Sequence, residues 1–338
     1  MPRPFLTVLT SPIPGTARRL YQGARRAVRP LVRPGAPPPP QPSKYPGHYA
    51  LVRSVVEGLN EIGADFTFNP RRASDVGRAV YAPENASLRQ AAELKRRGRI
   101  DYLVAGPVNA LYPDESDGVL RTPEIDRLIV ASEWVKTFYR DEPALLAKAR
   151  ACPCGVDARS WSPTPGRERA RTAVVYWKSG DEAFCERVEQ IVRSAGLEPQ
   201  RVRSGHGEHE HFTQAAFRDL LDRASIGIFL SAFETQGIAL AEAWSMDVPT
   251  LAWDPRAEAR WAGRTFIAGS SAPYVTAATG RVWRSLDELE SLLRAALADR
   301  AAFRPRQWIL DNMTDAICAA ALYAIIREGV GSRHHVRA

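Results

Sequence analysis

Residues 226–254 read Ile226-Gly-Ile-Phe-Leu-Ser231-Ala-Phe-Glu234-Thr-Gln-Gly237-Ile238-Ala-Leu-Ala-Glu242-Ala-Trp-Ser245-Met-Asp-Val-Pro249-Thr250-Leu-Ala-Trp-Asp254. A five-residue apolar run predicts a buried strand over 226–230, and a second run predicts another over 250–253. Between them, residues 238–245 predict a short helix entered through a tight turn at Gly237. A glycine at a helix mouth lets backbone N–H groups approach an anion closely, and the helix dipole favours negative charge there. Glu234 falls on the turn at the strand's carboxyl end, and Glu242 about one and a half turns into the helix. From those places two carboxylates can accept hydrogen bonds from separate hydroxyls of one extended ligand. The plainer reading is that both glutamates cap and solvate a helix.

The same alternation extends outward in both directions. Downstream of a polar, breaker-rich stretch at 162–168, strands are predicted at 173–176 and 200–202, with helices at 183–195 and 214–224. Upstream, 5–9 reads as a first strand. Val52, Val55, Val56 and Leu59 share one helical face, and Gly63 supplies the stop. Strands at 65–68, 102–105 and 128–131 follow, with helices at 87–97 and from Glu133. The fold class is therefore α/β: two Rossmann-like, doubly wound domains whose ligand sites lie at the carboxyl ends of the strands. The expected boundaries are a basic, Pro-rich arm with the first strand at 1–44, a first domain at 45–162, a linker at 163–170, a second domain at 171–304 and a C-terminal helix over 305–338.

The chain has 338 residues, 45% of them hydrophobic and 25% charged, the composition of a water-soluble globular protein. Its longest apolar run, residues 316–326, is too short to span a bilayer. The start lacks the long apolar segment of a secretory signal, so the cytoplasm is expected. The net charge of +8 is concentrated: residues 1–56 hold nine Lys or Arg and no Asp or Glu. Basic charge confined to one segment argues against a nucleic-acid-binding face. It suits either a solvated arginine-rich loop or an arm, centred on Arg18, Arg19, Arg25, Arg26, Arg29 and Arg33, at an anionic membrane surface or ligand. Cys152, Cys154, Cys185 and Cys318 form no disulfide framework and are expected to be buried thiols.

The order strand, Phe233-Glu234, Gly237, Glu242-Ala243, Val248-Pro249 resembles the retaining glycosyltransferases of family 4, whose signature is a Glu-x7-Glu motif. Leu128-Ile129-Val130-Ala131-Ser132-Glu133, Pro153 to Asp157, and the tail at Trp308-Ile309-Leu310-Asp311-Asn312-Met313 are similar to that family as well. The resemblance covers roughly residues 45–328. It implies the GT-B architecture, in which the two domains face a central cleft and the C-terminal helix crosses back to the first. It also implies transfer of a sugar, with retention, from a nucleoside diphosphate sugar to a carbohydrate, lipid-linked or small-molecule acceptor. Glu234 would bind a hydroxyl of the donor sugar and Glu242 the ribose. Gly237 and Ile238 would meet phosphate and sugar, and Gly47 would approach the donor phosphates. The family supplies two cations for the leaving diphosphate, whereas this chain offers one candidate.

That candidate is Lys178, at the carboxyl end of a strand and the only lysine after Lys148. A cation there is placed to neutralise a leaving diphosphate. His48, at the start of the first strong helix, is a candidate for donor or acceptor contact, or a partly exposed structural histidine; Asn109 is a further acceptor candidate. His206, His209 and His211 lack the spacing of a zinc hydrolase motif. With no Asp-x-Asp pair either, metal-independent transfer without a further cofactor is expected. A sugar-nucleotide epimerase and a non-catalytic nucleotide-sugar binding protein are the alternatives.

Overall fold

The computed structural model describes residues 3–14, 48–107, 110–203 and 213–337. The chain divides into two compact units. The first draws on Met1–Val130, Phe138–Arg150 and Ala320–Ala338, the second on Ala131–Thr137 and Ala151–Ala319.

The first unit holds a sheet in the order β2-β1-β3-β4-β5-β6: β1 (Leu6–Val8), β2 (Phe66–Phe68), β3 (Ala79–Ala82), β4 (Tyr102–Ala105), β5 (Arg127–Val130) and β6 (Ala149–Ala151). The pairs from β2 through β5 are parallel. Helix α1 (Tyr49–Glu61) buries Val52, Val55, Val56 and Leu59, the face read from the sequence, and Leu51 beside them. Helices α2 (Asn85–Arg96) and α3 (Pro143–Lys148) complete the α/β alternation.

The second unit repeats the topology. Its sheet runs β13-β10-β9-β7-β8, with β7 (Thr172–Trp177), β8 (Glu198–Arg203), β9 (Ile226–Leu230), β10 (Thr250–Trp253) and β13 (Gly280–Trp283), all paired in parallel. Alternate residues of β7 feed two cores, as a strand buried on both faces requires. Val174 and Tyr176 join Phe217, Phe229, Trp244 and Ile309. Ala173, Val175 and Trp177 join Val188, Ile228, Leu251, Trp283 and Leu289. Helices α4 (Glu182–Ser194), α5 (Gln214–Leu221), α6 (Ile238–Ser245) and α7 (Leu286–Ala298) alternate with the strands, and α8 (Pro305–Asn312) and α9 (Asp315–Arg337) end the chain. An antiparallel hairpin, β11 (Glu258–Trp261) with β12 (Arg264–Ile267), lies between β10 and β13 in sequence.

Each sheet has the 2-1-3-4-5 order of a doubly wound fold, extended by β6 in the first, with its switch point between β1 and β3 in the first and between β7 and β9 in the second. Several details differ from the sequence reading. Residues 131–137 and 151–162 fall in the second unit, where the Trp134 indole N–H donates to the Glu234 carbonyl, Val156 N–H donates to the Met313 carbonyl at 2.9 Å and Trp161 packs on Phe217. The tail expected as one helix over 305–338 holds two, α8 and α9, and α8 belongs to the second unit, where Trp308 meets Trp244 edge to face at 5.5 Å. Residues 133–139 form a 3-10 helix and not an α-helix. The four cysteines are buried free thiols; burial pushes Cys152 and Cys185 up to about 11. No described helix is long and apolar enough to cross a membrane.

Candidate active site

Strands β7 and β9 lie side by side with Trp177 opposite Leu230, so the residues that follow them emerge together at the second unit's switch point. The Lys178 and Ser179 N–H groups both donate to the Leu230 carbonyl at 2.9 Å, which extends the pairing one step beyond the strands. This sets the Lys178 ammonium 2.8 Å from Glu234 Oε1. The Ser231 hydroxyl lies 2.9 Å from the same oxygen. Lys178 keeps 40% of its side chain exposed and Glu234 17%, so the pair stands at the surface with the carboxylate recessed. Among the described residues, Glu234 Oε2 accepts no hydrogen bond. One oxygen is thus fixed by a cation and a hydroxyl while the other is left for a donor such as a sugar hydroxyl.

Gly237 is the N-cap of α6, at φ 82° and ψ 59°, where a side chain is strained; a Cβ there would come within 2.9 Å of Leu240 Cδ1. No side chain caps this helix among the described residues. Three other helices of the unit have side-chain caps, Asp181 receiving Phe184 N–H, Thr213 receiving Ala216 N–H and Ser285 receiving Glu288 N–H, whereas α8, like α6, has none. At its far end, three arginines collect the last carbonyls of α6 and of the residues after it. Arg306 donates to Ser245 O and Arg169 to Met246 O, each at 2.6 Å, and Arg300 donates to Asp247 O at 2.5 Å. Desolvation lowers the Arg169 pKa, as burial of a cation must. Positive charge at a helix C-terminus satisfies its carbonyls and stabilises the helix. Ile238 and Glu242 lie in the first and second turns of α6, both half-buried.

The structure therefore brings Lys178, Glu234, Gly237, Ile238 and Glu242 into one strand–turn–helix assembly. His48 is in the first unit, exposed. It caps α1 by accepting Leu51 N–H at Nδ1 (3.5 Å), and its own N–H donates to Glu84 Oε1 at 2.9 Å. Gly47, Asn109 and the histidines at 206, 209 and 211 lie outside the described residues, as does the arginine arm. Among the described residues no group of three or more His, Cys, Asp or Glu is arranged to hold a metal ion.

Sequence reasoning missed the residues that brace the turn. The Gln236 carboxamide, 8% exposed, donates from Nε2 to Cys154 O at 2.7 Å and accepts Cys154 N–H at 3.0 Å. Asp254, 1% exposed, accepts Ser271 N–H at 3.1 Å and pairs with Arg256 at 2.7 Å. Buried amide and carboxylate groups must find such partners. The sequence signal was only their polarity beside apolar strands.

No protein-family profile matches the chain, and no curated protein matches its sequence. Solved structures do match in fold. HepE of Anabaena, in complex with UDP and glucose, is 12% identical over 96% of this chain and 100% of that one, with a TM-score of 0.58. Sucrose-phosphate synthase from Thermosynechococcus elongatus is 13% identical, covering 97% and 100%, at 0.53. The catalytic domain of starch synthase IV from Arabidopsis thaliana, bound to ADP and acarbose, is 9% identical, covering 98% and 100%, at 0.55. The fold these matches define is GT-B, two Rossmann-like α/β domains with parallel sheets.

Proposed function

We propose that this protein is a glycosyltransferase that moves a sugar from a nucleoside diphosphate donor to a hydroxyl acceptor, with retention at the anomeric carbon and without a metal ion. The observation that carries the reading is the Lys178–Glu234 pair at the switch point, on the turn that leads into the uncapped N-terminus of α6. In this reading the leaving diphosphate meets Lys178 and the first N–H groups of α6, which stabilise the charge that develops as the glycosidic bond breaks. Glu234 Oε2 accepts a hydroxyl of the donor sugar, Glu242 a hydroxyl of the ribose, and Ile238 and Gly47 border the phosphates. Asn109 is assigned to the acceptor side, and of the two roles open to His48 the structural one, as cap of α1, is taken. Retention and the roles of Glu234 and Glu242 rest on the Glu-x7-Glu resemblance. The fold neighbours add that proteins of this architecture have been solved with UDP, with UDP-glucose and with ADP. No further cofactor is assigned. Peripheral contact with anionic membrane through the arginines of residues 18–33 rests on their charge alone.

A panel of nucleoside diphosphate sugars, UDP-glucose and ADP-glucose among them, tests this by thermal stabilisation and then by release of free nucleoside diphosphate with an acceptor present. A donor that raises Tm and is turned over equally in excess EDTA and in added magnesium supports the reading. Binding without turnover would make the protein a sensor, and full dependence on a divalent ion would refute metal independence.

A further inference from the structure

The turn that presents Glu234 is held by two side chains from residues 131–137, a segment of the second unit about a hundred residues away in sequence. The Trp134 indole N–H donates to the Glu234 carbonyl at 2.9 Å, and the Ser132 hydroxyl donates to the Thr235 carbonyl at 2.5 Å. Two consecutive peptide planes are thereby fixed. On the other side the Glu234 N–H donates to the Ser270 carbonyl at 3.0 Å. The indole is itself confined. It stacks on Phe266 (6.5 Å, 19°) and meets Phe233 edge to face (6.4 Å, 84°). Gly269 underlies it so closely that a Cβ would come within 2.7 Å of Trp134 Cε3. A ring seated this way aims its one donor at one acceptor.

We infer that Trp134 and Ser132 are positioning residues for the reaction proposed above: they set the direction in which the Glu234 carboxylate meets the donor sugar, without touching the donor. The inference rests on that reading of Glu234. The Lys178 backbone is fixed independently, by its N–H bond to the Leu230 carbonyl. Loosening the brace therefore moves the turn that carries the carboxylate relative to the strand end that carries the lysine. A misplacement of about 1 Å costs on the order of a hundredfold in rate, far more than one surface hydrogen bond contributes to stability. The Trp134 side must then appear in kcat and leave nucleotide binding at Lys178 and α6 nearly intact.

Trp134→Phe removes the N–H but keeps a ring against Phe233 and Phe266, and Ser132→Ala removes the second donor. kcat and KM for UDP-glucose and ADP-glucose, Kd for UDP and ADP, and Tm are measured for both variants and wild type. The expected result is a kcat about tenfold lower in Trp134→Phe, a smaller loss in Ser132→Ala, and Kd for the bound nucleotide within about twofold of wild type. If Trp134→Phe unfolds, the same split is read in Ser132→Ala. An active wild type whose variants keep its kcat, or lose kcat only as much as they lose nucleotide affinity, overturns this inference alone. A wild type that turns over neither donor overturns the reading of the site and the inference together.

Discussion

The two sheets share one strand order over five strands, yet the polar side chains at their switch points differ. In the first unit the polar groups there are engaged locally. Asn69 Oδ1 accepts the N–H groups of Thr10 and Ser11 at 2.8 and 3.2 Å, and the Gln90 side chain exchanges two hydrogen bonds with the Ile13 backbone. Glu84, two residues beyond β3, accepts His48 N–H, and α1 is capped by a side chain. In the second unit the matching turn carries Glu234, paired with the half-exposed Lys178, while the helix caps do not differ: α2 and α6 both lack a side-chain cap and α1 and α4 both have one. Topology makes both places candidate ligand sites; local chemistry selects between them. An anion needs unengaged donors and a cation: both switch points have an uncapped helix, and among the described residues the second adds the Lys178 ammonium.

The comparison is tested most sharply by Glu234→Gln. It keeps the shape and the hydrogen bond from Ser231 but removes the charge facing Lys178, so turnover of the donor should fall by about a hundredfold or more with little change in Tm. Lys178→Ala should come next, with a rate loss of tens of fold and weaker nucleoside diphosphate binding, because one cation is lost from a developing anion. Glu84→Gln, the matching change at the first switch point, should leave turnover within about twofold. Equal losses from Glu84→Gln and Glu234→Gln would abolish the asymmetry.

Gly237→Ala probes the helix mouth. A left-handed φ costs an alanine about 1–2 kcal/mol, and the Leu240 contact adds to it. A drop in Tm of several degrees and weaker binding of UDP or ADP are expected. Arg306→Ala probes the other end of the same helix. It removes bonds to Ser245, Trp161 and Ala158 carbonyls, so it should lower Tm while Kd for nucleotide changes less than in Gly237→Ala.

Much of this site was legible because its signals are local. Strand β9, helix α6 and strand β10 fall at the residues read from the sequence, since Ser231, Gly237, Asp247 and Pro249 punctuate apolar runs of the right length. Strand β3 was missed, because four residues between Arg78 and Pro83 are too short to show a period. The β11–β12 hairpin was missed for a different reason. Glu258, Arg260 and Arg264 break up its apolar residues, and most of it is exposed. Strand β8 reaches further than read, to Glu198 and through Pro199, because it is an edge strand with one side free of pairing. The braces at Trp134 and Gln236 left no trace in the sequence: each joins residues some 80 to 100 positions apart, and no spacing rule reports such a contact.

The smallest expected effect belongs to His48, where the sequence offered a ligand contact or a structural role. The imidazole is exposed and its Nδ1 accepts Leu51 N–H at 3.5 Å, the long limit of a hydrogen bond. An N-cap contributes about 0.5–2 kcal/mol, and a long, solvent-exposed one belongs at the lower end. His48→Ala should therefore lower Tm by no more than a few degrees. His48→Asn supplies a short side-chain oxygen, a preferred cap, and should restore or slightly exceed the wild-type Tm. Turnover with UDP-glucose or ADP-glucose should stay within about twofold in both variants. A loss beyond tenfold in His48→Asn, at full thermal stability, would show that the imidazole meets a ligand as well as the helix. The first switch point would then share in the chemistry, and the contrast between the two would narrow to the charge each presents.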